Sequence, residues 1–297
     1  MGKNKEEKKK RTAGDVILTL ILLVAVGVFC FAGYNLFKMY MDYKEGRDQY
    51  QDIADMAVSE RDPDAHPGAD GISAGDPGSD TYITPPIDVD FASLKAINDD
   101  VIGWIYVEAF DNINYPVTRG IDNEFYLHRN IKKEYLYAGT VFADSLNKDS
   151  LDECYTILYG HNMRDGSMFG KLSEFITDPE TLERSKYFWV FTPEAARRYQ
   201  IISVYNAPLG GDTYTYYKGP GKEFEEFISK VQSYSEVKLE PVELNIKDKL
   251  MCLSTCLDNH DYSKRCVVIG KMINSVPMDQ IQKTNQENVP EQEDDNV

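Results

Sequence analysis

The heptapeptide LMCLSTC at residues 250–256 combines the apolar character of a buried strand with a cysteine at its end. Alternate residues of a strand point to the same face, so the even-numbered residues are predicted to share one side. The polar stretch LDNHD follows directly at residues 257–261. We therefore expect Cys256 where a rigid strand meets a loop, a position from which a thiol can reach a substrate. Cys252 lies deeper in the strand and is expected to be a packing residue.

A second predicted strand runs into a polar turn at the segment YGHNM, residues 159–163. His161 lies at the junction of the strand and the turn. An imidazolium stabilises a thiolate nucleophile and can then protonate a departing amine. Arg265 lies between the loop after Cys256 and the last predicted strand, where a guanidinium can donate hydrogen bonds to an oxyanion or a carbonyl. Cys256, His161 and Arg265 are thus the candidate nucleophile, general acid/base and oxyanion stabiliser.

Each of these residues also has a purely structural interpretation. A cysteine in a strand usually packs in the core, because reactivity requires a special electrostatic site. His260 lies close to Cys256 in the sequence and is a rival base. Arg265 could simply pair with Asp258 or Asp261 at the surface. Spacing alone therefore leaves the choice open.

The chain around these segments, between residues 88 and 274, is rich in short apolar stretches. Strands are predicted at 101–107, 113–117, 136–143, 153–159, 187–192, 197–205, 249–256 and 266–273. Helices are predicted at 91–97, 168–175, from Asp178 onward and at 222–234. Pro116 suggests that its strand lies at an edge. Many short strands with few helices favour a mainly β fold, a closed or nearly closed β-barrel with helical additions.

The N-terminal segment predicts the topology. Residues 1–15 contain a cluster of lysines, and an apolar run without charge follows at residues 16–37. Such a run can cross about 30 Å of hydrocarbon, and the basic cluster favours a cytoplasmic N-terminus. The alternatives are a cleaved signal peptide and a buried core helix, but Tyr34 and Tyr40 suit the interface of an uncleaved anchor. We expect a single-pass cell-membrane protein with an extracytoplasmic catalytic domain.

Differences in amino-acid composition divide the rest of the chain into three predicted segments. Residues 38–87 are predicted to form a flexible stalk, because they are rich in Gly, Pro and Asp, although residues 42–60 have helical potential. Residues 88–274 form the predicted catalytic domain, and residues 275–297 a disordered acidic tail. The net charge of −17 argues against nucleic acid as a partner.

Cysteine and histidine usage is sparse. The five cysteines and four histidines lack the spacing of a zinc site, so neither a metal nor a cofactor is expected. The cysteine pattern leaves open whether a disulfide forms.

The ordered segments resemble those of the sortase family. The run LSTC at residues 253–256 resembles its (T/L)-x-T-C signature, YGHNM matches its histidine segment, and SKRCVV at 263–268 matches its arginine segment. Further similar stretches are INDDVIGWI (97–105), YPV (115–117), DNEFYL (122–127) and GTVFAD (139–144). The resemblance covers nearly all of residues 88–274. The helices at 91–97 and 222–234 resemble class B in particular, whereas Ala143 stands where many relatives carry a bulkier residue.

This resemblance implies an eight-stranded sortase barrel in a Gram-positive-type cell envelope. It implies a cysteine transpeptidase that cleaves a C-terminal sorting motif after threonine, forms a thioacyl-enzyme and passes the protein to a peptidoglycan amine. Secreted proteins with a sorting signal are the implied partners. Supporting roles are expected for Asp258, Thr255 and Ser254, although Asp258 could equally be a solvated loop carboxylate.

Three other functions remain open from the sequence. A pilin-polymerising sortase would use a lysine side chain as acceptor, but residues 275–297 contain no second hydrophobic span. A hydrolytic cysteine peptidase would pass the thioester to water. A non-catalytic, membrane-anchored module would bind peptide without turning it over.

Overall fold

The computed structural model describes residues 13–61, 84–256 and 263–279. The chain divides into two compact units between Glu45 and Gly46. The described part of the first unit is the beginning of helix α1 (Ala13–Ala57). This helix is long and apolar enough to cross a membrane, and none of its most apolar stretch is buried. A signal sequence near the N-terminus would meet the same criteria of length and apolar composition.

The second unit begins within α1. The C-terminal part of the helix buries one face, at Gly46, Tyr50, Ile53 and Ala57. These residues recur at three- and four-residue intervals, which is the stripe that a helix needs to pack on a core.

Two short strands extend this packed segment. β1 (Val58–Glu60) follows α1 directly and pairs antiparallel with β2 (Ile87–Val89). The structure therefore differs from the flexible stalk expected at residues 38–87, because the buried helix stripe and the β1–β2 pair order both ends of that segment. The Gly- and Pro-rich stretch between them, residues 62–83, lies outside the described residues.

A closed barrel of eight strands forms the body of the second unit, which confirms the predicted fold class. The strands are β3 (Val101–Val107), β4 (Asn114–Thr118), β5 (Val141–Ala143), β6 (Tyr155–Tyr159), β7 (Tyr187–Phe191), β8 (Ala195–Pro208), β9 (Leu250–Cys256) and β10 (Lys264–Pro277). Their order around the barrel is β10-β8-β7-β3-β4-β5-β6-β9. The pairs β4–β5 and β6–β9 are parallel, and the other six pairs are antiparallel.

Short helices decorate the barrel. They are α2 (Phe91–Ile97), α3 (Glu174–Thr177), α4 (Glu180–Arg184), α5 (Lys222–Ile228) and 3₁₀ turns at Gly170–Ser173, Asp212–Tyr214 and Val231–Tyr234. The carboxylate of Asp90 caps α2 by accepting hydrogen bonds from the first-turn amides. The single helix predicted at 222–234 is thus divided into a helix and a 3₁₀ turn.

Two strand predictions need correction. The strand expected at 136–143 is only Val141–Ala143, because Gly139 takes a left-handed conformation with φ of 59° that a strand cannot continue through. The strand of Pro116 is not at an edge, since β4 lies between β3 and β5. The ladder to β5 begins at Val117, one residue after Pro116, so a residue without an amide hydrogen is tolerated there.

Candidate active site

Three neighbouring strands bring the predicted site residues to one end of the barrel. Cys256 is the last residue of β9, and its backbone is the antiparallel partner of Arg265 on β10. On the other side of β9, the parallel strand β6 pairs Tyr159 with Ser254. His161 follows Tyr159 by two residues, as Cys256 follows Ser254. His161 and Cys256 therefore both lie at the same end of the β6–β9 pair.

The turn between β6 and His161 requires a glycine. The Gly160 amide donates to the carbonyl of Ser254 at 3.2 Å, which extends the pairing of β6 and β9 by one step. A Cβ atom on Gly160 would lie 2.7 Å from the ring of Phe169, so a larger residue would push the turn away. The glycine of the YGHNM segment thus holds His161 close to β9.

A cavity of about 370 Å³ opens at this end of the barrel. Both His161 and Arg265 line it, so the structure brings these two predicted residues to one cavity. The other lining residues are Asn123, Glu124, Leu127, Phe142, Tyr159, Gly160, Leu209, Gly210, Tyr214, Ser254 and Thr255. Asp258 and the rival base His260 lie outside the described residues.

The ring of His161 is held by a backbone carbonyl. Its Nε2 atom lies 2.7 Å from the carbonyl oxygen of Leu127. A carbonyl only accepts hydrogen bonds, so Nε2 must carry a proton. Nδ1 is then the nitrogen that can take up or release a proton during a reaction.

Burial lowers the pKa of His161 below its usual value, because the charged imidazolium loses solvation in this half-buried position. The hydrogen bond to Leu127 acts in the opposite direction and favours the charged form, whereas the neighbouring His128 disfavours it. Burial is the largest of these effects, so an imidazolium formed here is a stronger acid than one in water.

The two smaller candidates, Ser254 and Thr255, are both buried. The Ser254 hydroxyl lies 2.9 Å from the phenol oxygen of Tyr214, which belongs to the 3₁₀ turn after β8. The Thr255 hydroxyl has no hydrogen-bond partner among the described residues. Ser254 thus ties the cavity wall to a tyrosine for which the sequence analysis assigned no role.

Asp144 connects two of the residues that line the cavity. Its carboxylate accepts hydrogen bonds from the phenol of Tyr159 at 2.9 Å and from the amide side chain of Asn123 at 2.9 Å. Both donors line the cavity. The carboxylate therefore joins the loop before β5 to the end of β6.

The second cysteine of β9, Cys252, differs from Cys256 in its expected reactivity. Cys252 is fully buried, and burial raises the pKa of its thiol to about 12. A thiol that stays protonated at neutral pH is a poor nucleophile. Cys252 is therefore a packing residue, as its place inside β9 predicted. Among the described residues Cys30, Cys154 and Cys266 are also free thiols.

Sequence reasoning missed three contributors to this site: the carbonyl of Leu127, the ring of His128 and the phenol of Tyr214. The carbonyl carries no sequence signal. His128 and Tyr214 reach the site only through the closure of long connections between strands. In the described part of the chain, no group of His, Cys, Asp and Glu side chains is arranged to hold a metal ion.

Comparison with known proteins identifies close relatives. No protein-family model matches the sequence. Sortase B of Listeria monocytogenes is 31% identical over 254 residues, which cover 85% of this chain and 95% of that protein. The crystal structure of Clostridium perfringens sortase B superimposes with a TM-score of 0.57 at 32% identity, covering 62% of this chain and 100% of that one. The Staphylococcus aureus sortase B–substrate complex gives a TM-score of 0.55 at 30% identity, covering 61% of this chain and 83% of that one.

Proposed function

The chain belongs to the sortase B family of cysteine transpeptidases, and we propose that it attaches secreted proteins to the cell wall. Its substrates are proteins that carry a C-terminal sorting motif, which is cleaved after a threonine. The acceptor is an amine of peptidoglycan or its precursor. The observation that carries this proposal is the cavity shared by His161 and Arg265 at the strand end where Cys256 is the backbone partner of Arg265.

In the first half of the reaction, the thiolate of Cys256 attacks the threonine carbonyl carbon and a C–S bond forms. The negative charge moves to the carbonyl oxygen, where Arg265 and backbone amides donate hydrogen bonds. The C–N bond then breaks, and the departing amine takes a proton from His161. The hydrogen bond from Nε2 to Leu127 supports Nδ1 as the source of that proton.

In the second half, the acceptor amine attacks the thioester and transfers a proton back to Nδ1 of His161. The C–S bond breaks and the thiolate of Cys256 is restored. The thioester preserves the acylating power of the cleaved amide, so no external energy source is needed. Burial lowers the pKa of His161, so its imidazolium, once formed, gives up the proton to the amine more readily.

The other residues of the cavity walls bind the substrate but take no part in making or breaking bonds. Ser254 and Thr255 shape the floor next to the nucleophile, and Asp258 orients the following loop. The apolar part of α1 anchors the enzyme in the cell membrane with the N-terminus in the cytoplasm. The barrel then acts on substrates outside the membrane. The length and exposed apolar surface of α1 support this arrangement.

Mass spectrometry of the intact protein tests the proposal. Incubation with candidate sorting peptides is expected to add the mass of the peptide up to its threonine, on Cys256. Addition of a glycine-based amine is expected to release a peptide–amine conjugate. A peptide acid formed equally in the presence and absence of the amine would instead indicate a hydrolase. Failure of every peptide to form an adduct or product would favour a binding module.

A further inference from the structure

A second histidine lies against His161. The ring centres of His128 and His161 are 5.0 Å apart and the ring planes differ by 25°. This is the distance and orientation of stacked aromatic rings. His128 lies on the connection between β4 and β5, directly after Leu127, whose carbonyl holds Nε2 of His161.

His128 is itself fixed in place. Its Nδ1 atom lies 3.0 Å from the carbonyl oxygen of Tyr137, to which it must donate a hydrogen bond. Its ring stacks on that of Tyr137, with the centres 5.9 Å apart, and lies 6.3 Å from the tilted ring of Tyr135. The ring of Tyr137 also stacks on His161, at 6.3 Å and 10°. The orientation of His128 is therefore set by the loop and not by His161.

We propose that His128 is a positioning residue for His161, which holds the plane of the catalytic imidazole by stacking and restrains its protonation by like charge. This inference rests on the proposed role of His161 as the general acid/base. Two imidazoles at this separation repel each other when both are protonated. The neighbouring His128 accordingly contributes to the lowered pKa of His161.

Other ionisable groups also face His161. Glu124, Tyr159, Tyr214 and Arg265 line the same cavity, and Tyr137 lies on the loop beside it. Of these groups and His128, His128 is the one whose charge lowers the pKa of His161. Replacing His128 therefore changes the charge next to His161 without altering the cavity walls.

The test is a direct titration of His161 in the full-length protein by NMR. The sequence contains four histidines, and the signal of His161 is assigned by its loss in His161→Gln. In His128→Phe the stacked ring is kept and the charge is lost. The titration midpoint of His161 is expected to rise by about 0.5 pH unit or more, which is the size of a unit-charge interaction across 5 Å of water.

Two further variants separate the effect of the His128 charge from the effect of its stacking on His161. His128→Ala is expected to raise the midpoint as much as His128→Phe does, but to lower acyl-enzyme formation about tenfold more, because the stacking surface is lost. Lys132→Ala, an exposed position on the same loop, should leave the midpoint where the wild type has it. A midpoint in folded His128→Phe that matches the wild type would overturn the proposal. Because the titration needs no substrate, this result is independent of the proposed transpeptidation.

Discussion

The backbone of Gly139 lies close to the carbonyl group of Leu127. A Cβ atom added to Gly139 would collide with that carbonyl oxygen, and the φ angle of 59° at Gly139 already disfavours any side chain. The same oxygen accepts the hydrogen bond from His161. The position of the His161 imidazole is therefore tied to the absence of a side chain at residue 139.

Gly139→Ala is expected to reduce both stability and activity. A non-glycine residue in the left-handed region costs about 1–2 kcal/mol, and displacement of Leu127 removes the partner of His161. Gly166→Ala is the matched control, because Gly166 has a φ of 79° but its added Cβ meets only the flexible side chain of Lys171. Denaturant unfolding should show a stability loss in both variants, and a larger one in Gly139→Ala because only its Cβ meets backbone atoms. Acyl-enzyme formation should fall in folded Gly139→Ala alone. Equal activity in the two variants would contradict this link.

Helix α1 supports the same loop. The buried phenol of Tyr50 donates a hydrogen bond to the carbonyl of Gly139 at 2.6 Å and lies 2.8 Å from the Thr140 hydroxyl. Tyr50→Phe leaves a buried carbonyl without its donor, so the free energy of unfolding should fall by about 1–3 kcal/mol. Thermal unfolding in detergent measures the effect, with Tyr40→Phe as the exposed control on the same helix. Equal stability of the two variants would show that the hydroxyl contributes nothing.

The two cysteines of β9 should differ sharply in reactivity. Cys252 is buried and its pKa is raised to about 12, so iodoacetamide should leave it unmodified in the native protein. Cys256 is expected to react first at neutral pH. Peptide mapping by mass spectrometry identifies the labelled residue, in a Cys30→Ser background that removes the exposed thiol of α1. Native labelling of Cys252 ahead of Cys256 would be inconsistent with this assignment.

The pH dependence of stability follows from the lowered pKa of His161. In the unfolded chain His161 takes up a proton near the usual pKa of 6.5, whereas in the folded protein it takes up the proton only at a lower pH. The contribution of His161 is therefore complete above 6.5 and is lost as the pH falls through the lowered pKa. Compared with His161→Gln, the wild type should lose more stability between about pH 7.5 and about pH 5.5. A constant difference between the two proteins would show that His161 titrates normally.

Local sequence patterns predicted much of the barrel. The pattern of residues 250–256 predicted β9, and the strands predicted at 187–192 and 197–205 correspond to β7 and β8. The patterns failed where a single residue or a distant contact decides the structure. Gly139 ends the predicted strand at 136–143 through its positive φ, and the helix stripe at Tyr50 packs on residues far away in sequence.

The site was predictable to a similar extent. Cys256, His161 and Arg265 lie at strand ends, and strand ends are visible in a sequence. The family membership expected from these segments is confirmed, whereas the roles of the three residues stay predictions. The contacts of Leu127 and His128 with His161 depend on how a long loop folds back, which no local pattern records.

The most direct test of the account is the intact mass of the enzyme after incubation with a sorting peptide, compared between the wild type, Cys256→Ala and His161→Ala. The wild type is expected to carry a thioester adduct that an added amine removes, and Cys256→Ala should carry none while unfolding normally. His161→Ala should form the adduct at least a hundredfold more slowly, the size typical of a lost general acid. Undiminished conjugate formation by Cys256→Ala would show that this thiol is not the nucleophile.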